Sequence, residues 1–209
     1  MKRSVIAAVL AAAIAVGVAS ASGGPSLLRP SSLHKTAPAV FKAKFRTTKG
    51  SFVVTVHRKW APKGADRFYN LVYYHFYDNQ PLFRVEPGFV VQWGISGKPA
   101  IAKAWQQADI KDDPVMHSNV KGTITFATAG PNTRTTQVFV NVGANSFLNS
   151  SGFAPFGVVT SGFSVFSQLY HGYKEKASTQ QADITNYGTP WVRKHFPKLD
   201  WIKTARLVR

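Results

Sequence analysis

The sequence predicts a mostly β domain, a closed antiparallel barrel with helices laid over it as lids. Three observations carry this expectation. Short apolar runs suited to strands recur from Val40 to the C-terminus, separated by Gly, Pro and Asn turns. Only two main stretches place apolar residues at helical spacing, and no internal repeat is visible. At 209 residues and 44% hydrophobic content, the chain is expected to be one domain with extensions, large enough to bury a real core.

The N-terminus has the form of a targeting segment. Lys2 and Arg3 precede a continuous apolar run from Val5 to Val18, and Ala19-Ser20-Ala21 is an A-x-A-like cleavage site. The run is short for a membrane span, which needs about 20 residues. Residues 1–21 are therefore expected to be a secretory signal, with secretion or a periplasmic location, or a membrane anchor if cleavage does not occur. Residues 22–39, rich in Ser, Pro and Gly, are expected to be a disordered linker, and residues 40–209 the folded domain.

Phe41, Ala43 and Phe45 alternate with Lys42, Lys44 and Arg46, the pattern of a half-buried strand with a basic outer face. Lys49-Gly50 turns the chain into a second strand, Ser51 to His57. Pro62 can open a helix, and Ala65, Phe68, Leu71, Val72 and Phe76 follow at helical spacing as core residues. Phe83 to Gly94 reads as two short strands broken at Pro87-Gly88. Val90 and Gln92 share one face, Val91 and Trp93 the other. Residues 94–122 show no clean period and are expected to be a long loop. Strands follow at Thr123 to Thr128, Gln137 to Val142 and Phe156 to Thr160. Phe163, Phe166 and Leu169 predict a helix that stops at Gly172. A short helix near Pro190 to Phe196 and a last strand from Trp201 to Val208 complete the chain.

Composition excludes several chemistries. There is no cysteine, hence no disulfide, thiolate zinc site or cysteine nucleophile. Nine acidic residues supply little for paired-carboxylate catalysis, and Asp112-Asp113 reads as a solvated turn or cap. The six histidines lack the spacing of a metal pair. The net charge of +17 favours anionic surroundings, but no basic cluster or stacking motif marks a nucleic-acid site, so a solvated basic surface is expected.

Two stretches look like a binding groove. One is Phe-Arg-Val-Glu-Pro-Gly-Phe-Val-Val-Gln-Trp-Gly at 83–94. The other runs from Phe126 to Asn141, Phe-Ala-Thr-Ala-Gly-Pro-Asn-Thr-Arg-Thr-Thr-Gln-Val-Phe-Val-Asn. There Gln137 and the expectedly exposed Phe139 share a face, with Val138 and Val140 turned inward. With Phe-Ala-Pro-Phe-Gly at 153–157, these motifs resemble the cyclophilins, the β-barrel family of peptidyl-prolyl cis-trans isomerases. The resemblance covers about Val40 to Val208 and implies an eight-stranded closed barrel with two helices. It implies catalysis of prolyl isomerisation without a cofactor, on proline-containing polypeptides, by an expected monomer.

By the same resemblance Arg84 is the catalytic arginine, with Gln92 and Phe139 beside it. Phe89, Val90, Phe139, Leu148 and Phe153 wall the proline pocket. Gln92 and the edge at Ala127 and Thr128 bind the substrate backbone, and Gln137 supports them. Val90 replaces a common methionine and Thr128 a common asparagine. The chain has Phe147-Leu148 and Phe153 where many members have Trp-Leu and a histidine; loss of the indole donor implies weaker cyclosporin binding. The tail after Tyr173 resembles a divergent branch with a longer C-terminal region. Asn149-Ser150-Ser151 matches a glycosylation sequon. A second reading keeps the barrel without turnover, as a module that binds proline-containing peptides or acidic envelope polymers.

Overall fold

The computed structural model describes residues 24–208; the expected signal segment lies outside them. Nine strands form one sheet in the order β3-β9-β1-β2-β8-β6-β7-β5-β4. β1 (Val40–Thr47) and β2 (Gly50–His57) pair as the expected hairpin, in register from Val40↔His57 to Thr47↔Gly50. The alternation in β1 is realised: Phe41, Ala43 and Phe45 are buried, and Lys42, Lys44 and Arg46 are exposed. β3 (Gln80–Pro81) pairs with β9 (Trp201–Val208), and β4 (Arg84–Val85) with β5 (Val90–Trp93). Only Leu82 and Phe83 separate the two edge strands, β3 and β4, so covalent continuity links the ends of the sheet. The sheet has nine strands where eight were expected, because the pairing is interrupted at Leu82 and Phe83, between β3 and β4. β6 (Thr123–Phe126), β7 (Val138–Asn141) and β8 (Pro155–Ser161) complete the sheet.

The barrel interior is aromatic. Phe45 stacks on Phe52 at 4.9 Å, and Trp93 meets Phe45 edge-on at 5.5 Å. Helix α1 (Pro62–Tyr73) covers one opening with the apolar face that the sequence marked; Ala65, Phe68 and Leu71 are fully buried. Its N-terminus lacks a local side-chain cap. The cap comes from Asp113, which accepts the backbone N–H of Lys63 at 3.1 Å and of Gly64 at 2.8 Å. Asp113 also pairs with Arg134 at 3.2 Å, and both are buried. A cap was expected there, but a solvated one; the distant Arg134 makes burial tolerable by matching the charge.

Other expectations are corrected. The linker is not disordered over its described part, residues 24–39. Leu33 and Ala37 are buried, and a 3₁₀ turn spans Pro30–Ser32. Lys35 donates its N–H to Asn70 Oδ1 at 3.0 Å, and Ala37 donates to Asp66 Oδ1 at 2.9 Å. A low-propensity segment is ordered because α1 satisfies its backbone. The long loop contains a helix, α2 (Pro99–Trp105), which buries Ala102 and Trp105. The second lid is a 3₁₀ helix, Phe163–Gln168, rather than an α-helix. Phe163, Phe166 and Leu169 recur every three residues, which is the 3₁₀ period. The short C-terminal helix is longer than expected. α3 (Gln181–His195) starts nine residues before Pro190 and is broken at Gly188, whose φ is 66°.

Candidate active site

The β4–β5 hairpin sets the first wall. Its turn is closed by Phe89 N–H donating to Glu86 O at 3.0 Å, with Gly88 at φ 76°. Arg84 pairs with Gln92 across the hairpin, so the two side chains lie on the same face. Val91 and Trp93 join the barrel core, whereas Val90 and Gln92 face outward into a cavity. Gly94 ends the strand at φ 122°; a Cβ there would stand 2.5 Å from Gln137 Cα, so only glycine lets β5 run this close to the second motif.

β7 lies beside β5 with Gln92 opposite Phe139. The cavity, about 320 Å³, is lined by Arg84, Phe89, Val90, Gln92, Ala127, Thr128, Phe139, Leu148 and Phe153, with Glu175, Ser178 and Gln181. Gln137 lies in an adjoining cavity of about 200 Å³, which Gln92, Ala127 and Thr128 also line. The structure thus brings all ten residues singled out by the sequence into one connected region. Phe139 is not exposed as expected: it is 4% accessible and forms a buried wall, edge-on to Phe153 at 5.7 Å. β7 is buried on both faces because the loop carrying Phe153 covers its outer side.

That loop is held by buried asparagines that sequence reasoning missed. Asn119 Nδ2 donates to Asn149 Oδ1 at 2.9 Å and to Phe153 O at 2.8 Å. Asn145 Nδ2 donates to Asn141 Oδ1 at 2.7 Å and to Phe89 O at 2.8 Å. One network therefore fixes Phe89 and Phe153 together. The i, i+4 recurrence Asn141, Asn145, Asn149 was the available signal. Asn149, the sequon residue, is committed to this network and to Ser118. Phe147 stacks on Phe89 at 6.0 Å and is 62% accessible.

Polar side chains form a continuous row along the groove. Arg84 Nη1 donates to Gln92 Oε1 at 3.3 Å, Gln92 Nε2 to Gln137 Oε1 at 2.9 Å, and Gln137 Nε2 to Gln181 Oε1 at 2.8 Å. On its other side Arg84 is paired with Glu175, through Nε at 2.9 Å and Nη2 at 2.6 Å. Burial opposes ionisation of the Glu175 carboxyl, but the Ser178 hydroxyl and the Arg84 guanidinium outweigh it and hold the group below its ordinary value. Glu175, Ser178 and Gln181 were not anticipated. Their positions in a polar tail carry no local signal of contact with a hairpin 90 residues earlier.

An apolar recess beside a row of amide and guanidinium donors can hold a small ring and grip the adjoining peptide. Residues 42–189 match the model of the cyclophilin type peptidyl-prolyl cis-trans isomerase/CLD family. The chain belongs to this family. A peptidyl-prolyl cis-trans isomerase of Acinetobacter baylyi is 33% identical over 132 residues, 60% of this chain and 70% of the relative. A second relative, peptidyl-prolyl cis-trans isomerase ppi1 of Schizosaccharomyces pombe, is 30% identical over 129 residues, 60% of this chain and 83% of its own. In fold, this cyclophilin is similar to a cyclophilin type isomerase of Cryptosporidium parvum, with TM-score 0.59, 16% identity, and 81% and 98% of the two chains covered. The same Cryptosporidium protein in the presence of the dipeptide Ala-Pro aligns with TM-score 0.58 at 17% identity over 80% and 99% of the chains.

Proposed function

We propose that this cyclophilin isomerises prolyl bonds of polypeptides outside the cytoplasm, with Arg84 stabilising the twisted amide. The carrying observation is the juxtaposition of a guanidinium with an apolar recess, walled by Phe89, Val90, Phe139, Leu148 and Phe153. The peptide bond resists rotation by about 18–20 kcal/mol because of its C–N conjugation. Rotation breaks that conjugation and makes the prolyl nitrogen a hydrogen-bond acceptor, which the planar amide is not. A donor placed there binds the transition state better than the substrate. The recess holds the pyrrolidine ring, while Gln92 and the backbone at Ala127 and Thr128 hold the preceding residues and Gln137 keeps Gln92 in place. With one side anchored, the other turns. The Ala-Pro dipeptide present with the Cryptosporidium relative supports a proline-containing substrate.

The location rests on residues 1–21 alone, and a monomer is supported by a site built entirely within one chain. Fractionation and N-terminal sequencing of the natural protein test the location; retention of residues 1–21 in a cytosolic fraction would refute it. A prolyl isomerisation assay tests the mechanism. Arg84→Ala is expected to lose about 10²–10³-fold in kcat/KM, the usual cost of one preorganised transition-state donor. Equal rates in the two proteins would remove Arg84 from the chemistry.

A further inference from the structure

Residues 173–181 approach Arg84 from the side opposite the two motifs. Three observations define what they do there. First, one oxygen of Glu175 accepts both Arg84 Nε and Nη2, while the other accepts the Ser178 hydroxyl, so both oxygens are held and the carboxylate is locally braced. The guanidinium edge turned to Gln92 stays outside this pair. Second, the polar row that starts at Glu175 ends at Gln181, six residues later on the same segment. The segment thus grips the row at both ends. Third, the segment is anchored. Ala177 is fully buried in a small core with Ile184, Val192 and Phe196, and Tyr173 meets Phe196 edge-on at 5.1 Å. A buried anchor between two polar grips is the build of a brace and not of a flap. Glu175 itself lines the cavity of about 320 Å³.

We propose that Glu175 is a positioning residue for Arg84. It holds the plane of the guanidinium through Nε and Nη2 and leaves the Nη1 edge for the prolyl nitrogen. An arginine side chain otherwise samples many rotamers, and ordering it before the substrate arrives removes that cost from the barrier. The proposal rests on the isomerase role given to Arg84 above.

The test is isomerisation of a short proline-containing peptide by the full chain, comparing wild type, Arg84→Ala, Glu175→Gln and Glu175→Ala. Glu175→Ala is expected to lower kcat about tenfold with KM unchanged, because the lost interaction orders a group used only in the transition state. Glu175→Gln keeps an acceptor oxygen for the guanidinium and should recover part of the loss. Thermal midpoints should stay near wild type, since the pair is half-exposed, with Glu175 at 49%. Glu175→Ala with wild-type or higher kcat would overturn the proposal, as would a rise in KM alone. If Glu175→Ala proves unstable, Glu175→Gln decides: a kcat at or above wild type, or a rise in KM alone, overturns it. Full activity in Arg84→Ala would instead sink the parent reading, a result separable from all of these.

Discussion

The barrel core and the smaller core beneath residues 173–201 draw mainly on different elements, and meet at α2, through Trp105 and Ala102, and at β9, through Ile202 and Trp201. The first is made by strands and α1, with flat aromatic stacks such as Phe45 on Phe52. The second gathers Phe83, Ile95, Ala102, Ala177, Ile184, Val192 and Phe196 from loops and helices. They meet the active site differently. The barrel core places β5 and β7, hence Gln92 and Phe139. The second core seats Phe83, whose neighbour Arg84 points into the groove, and it carries Glu175 and Gln181 to the other end of the same polar row. One core sets the strands that carry the groove; the other seats the segment that reaches Arg84 from its far side. If the two cores are independent, the second can be weakened while the groove persists.

The sharpest way to break this contrast is in the barrel. Phe45→Ala removes a ring touching Phe52, Phe68, Tyr77 and Trp93 and should cost about 3–5 kcal/mol in denaturant unfolding. All activity should go with the fold. Ile184→Ala, in the second core, should cost about 2–3 kcal/mol, because a small cluster collapses around the gap more easily. Its signature should be faster amide exchange across residues 173–195 and reduced kcat, with the barrel amides still protected. If barrel and brace lose protection together, the two cores are one cooperative unit. The smallest effect is electrostatic. Glu175 has a folded pKa below its ordinary 4.5, so its pair with Arg84 contributes fully above that value. The contribution is lost as pH falls through the folded pKa. Activity should therefore drop on the acid side, and Glu175→Gln should lack that limb of the profile.

Much of the groove was legible because its residues sit on regular strands. A period of two puts Val90 and Gln92 on one face and Val91 and Trp93 on the other, and the structure keeps that division. Less was legible where order comes from distant partners. The Ser- and Pro-rich stretch before Val40 looks unable to fold, yet Asp66 and Asn70 of α1 satisfy its backbone. The three-residue spacing from Phe163 to Leu169 was present in the sequence but fits two helix types, and only length and packing separate them.

Family resemblance pointed to Arg84, Phe89, Leu148 and Phe153 of the groove. Local chemistry determined, from the sequence alone, the strands of the barrel, the apolar face of α1, and the division of Val90 and Gln92 from Val91 and Trp93. Each depends on residues a few positions apart, through side-chain alternation and turn geometry. The tertiary structure decided what those residues are held by. The cap of α1 comes from Asp113, the loop of Phe153 hangs on Asn119, and Arg84 meets Glu175, 91 positions away. No local pattern encodes such pairs, because polar side chains find their partners only after the two cores have brought their backbones together.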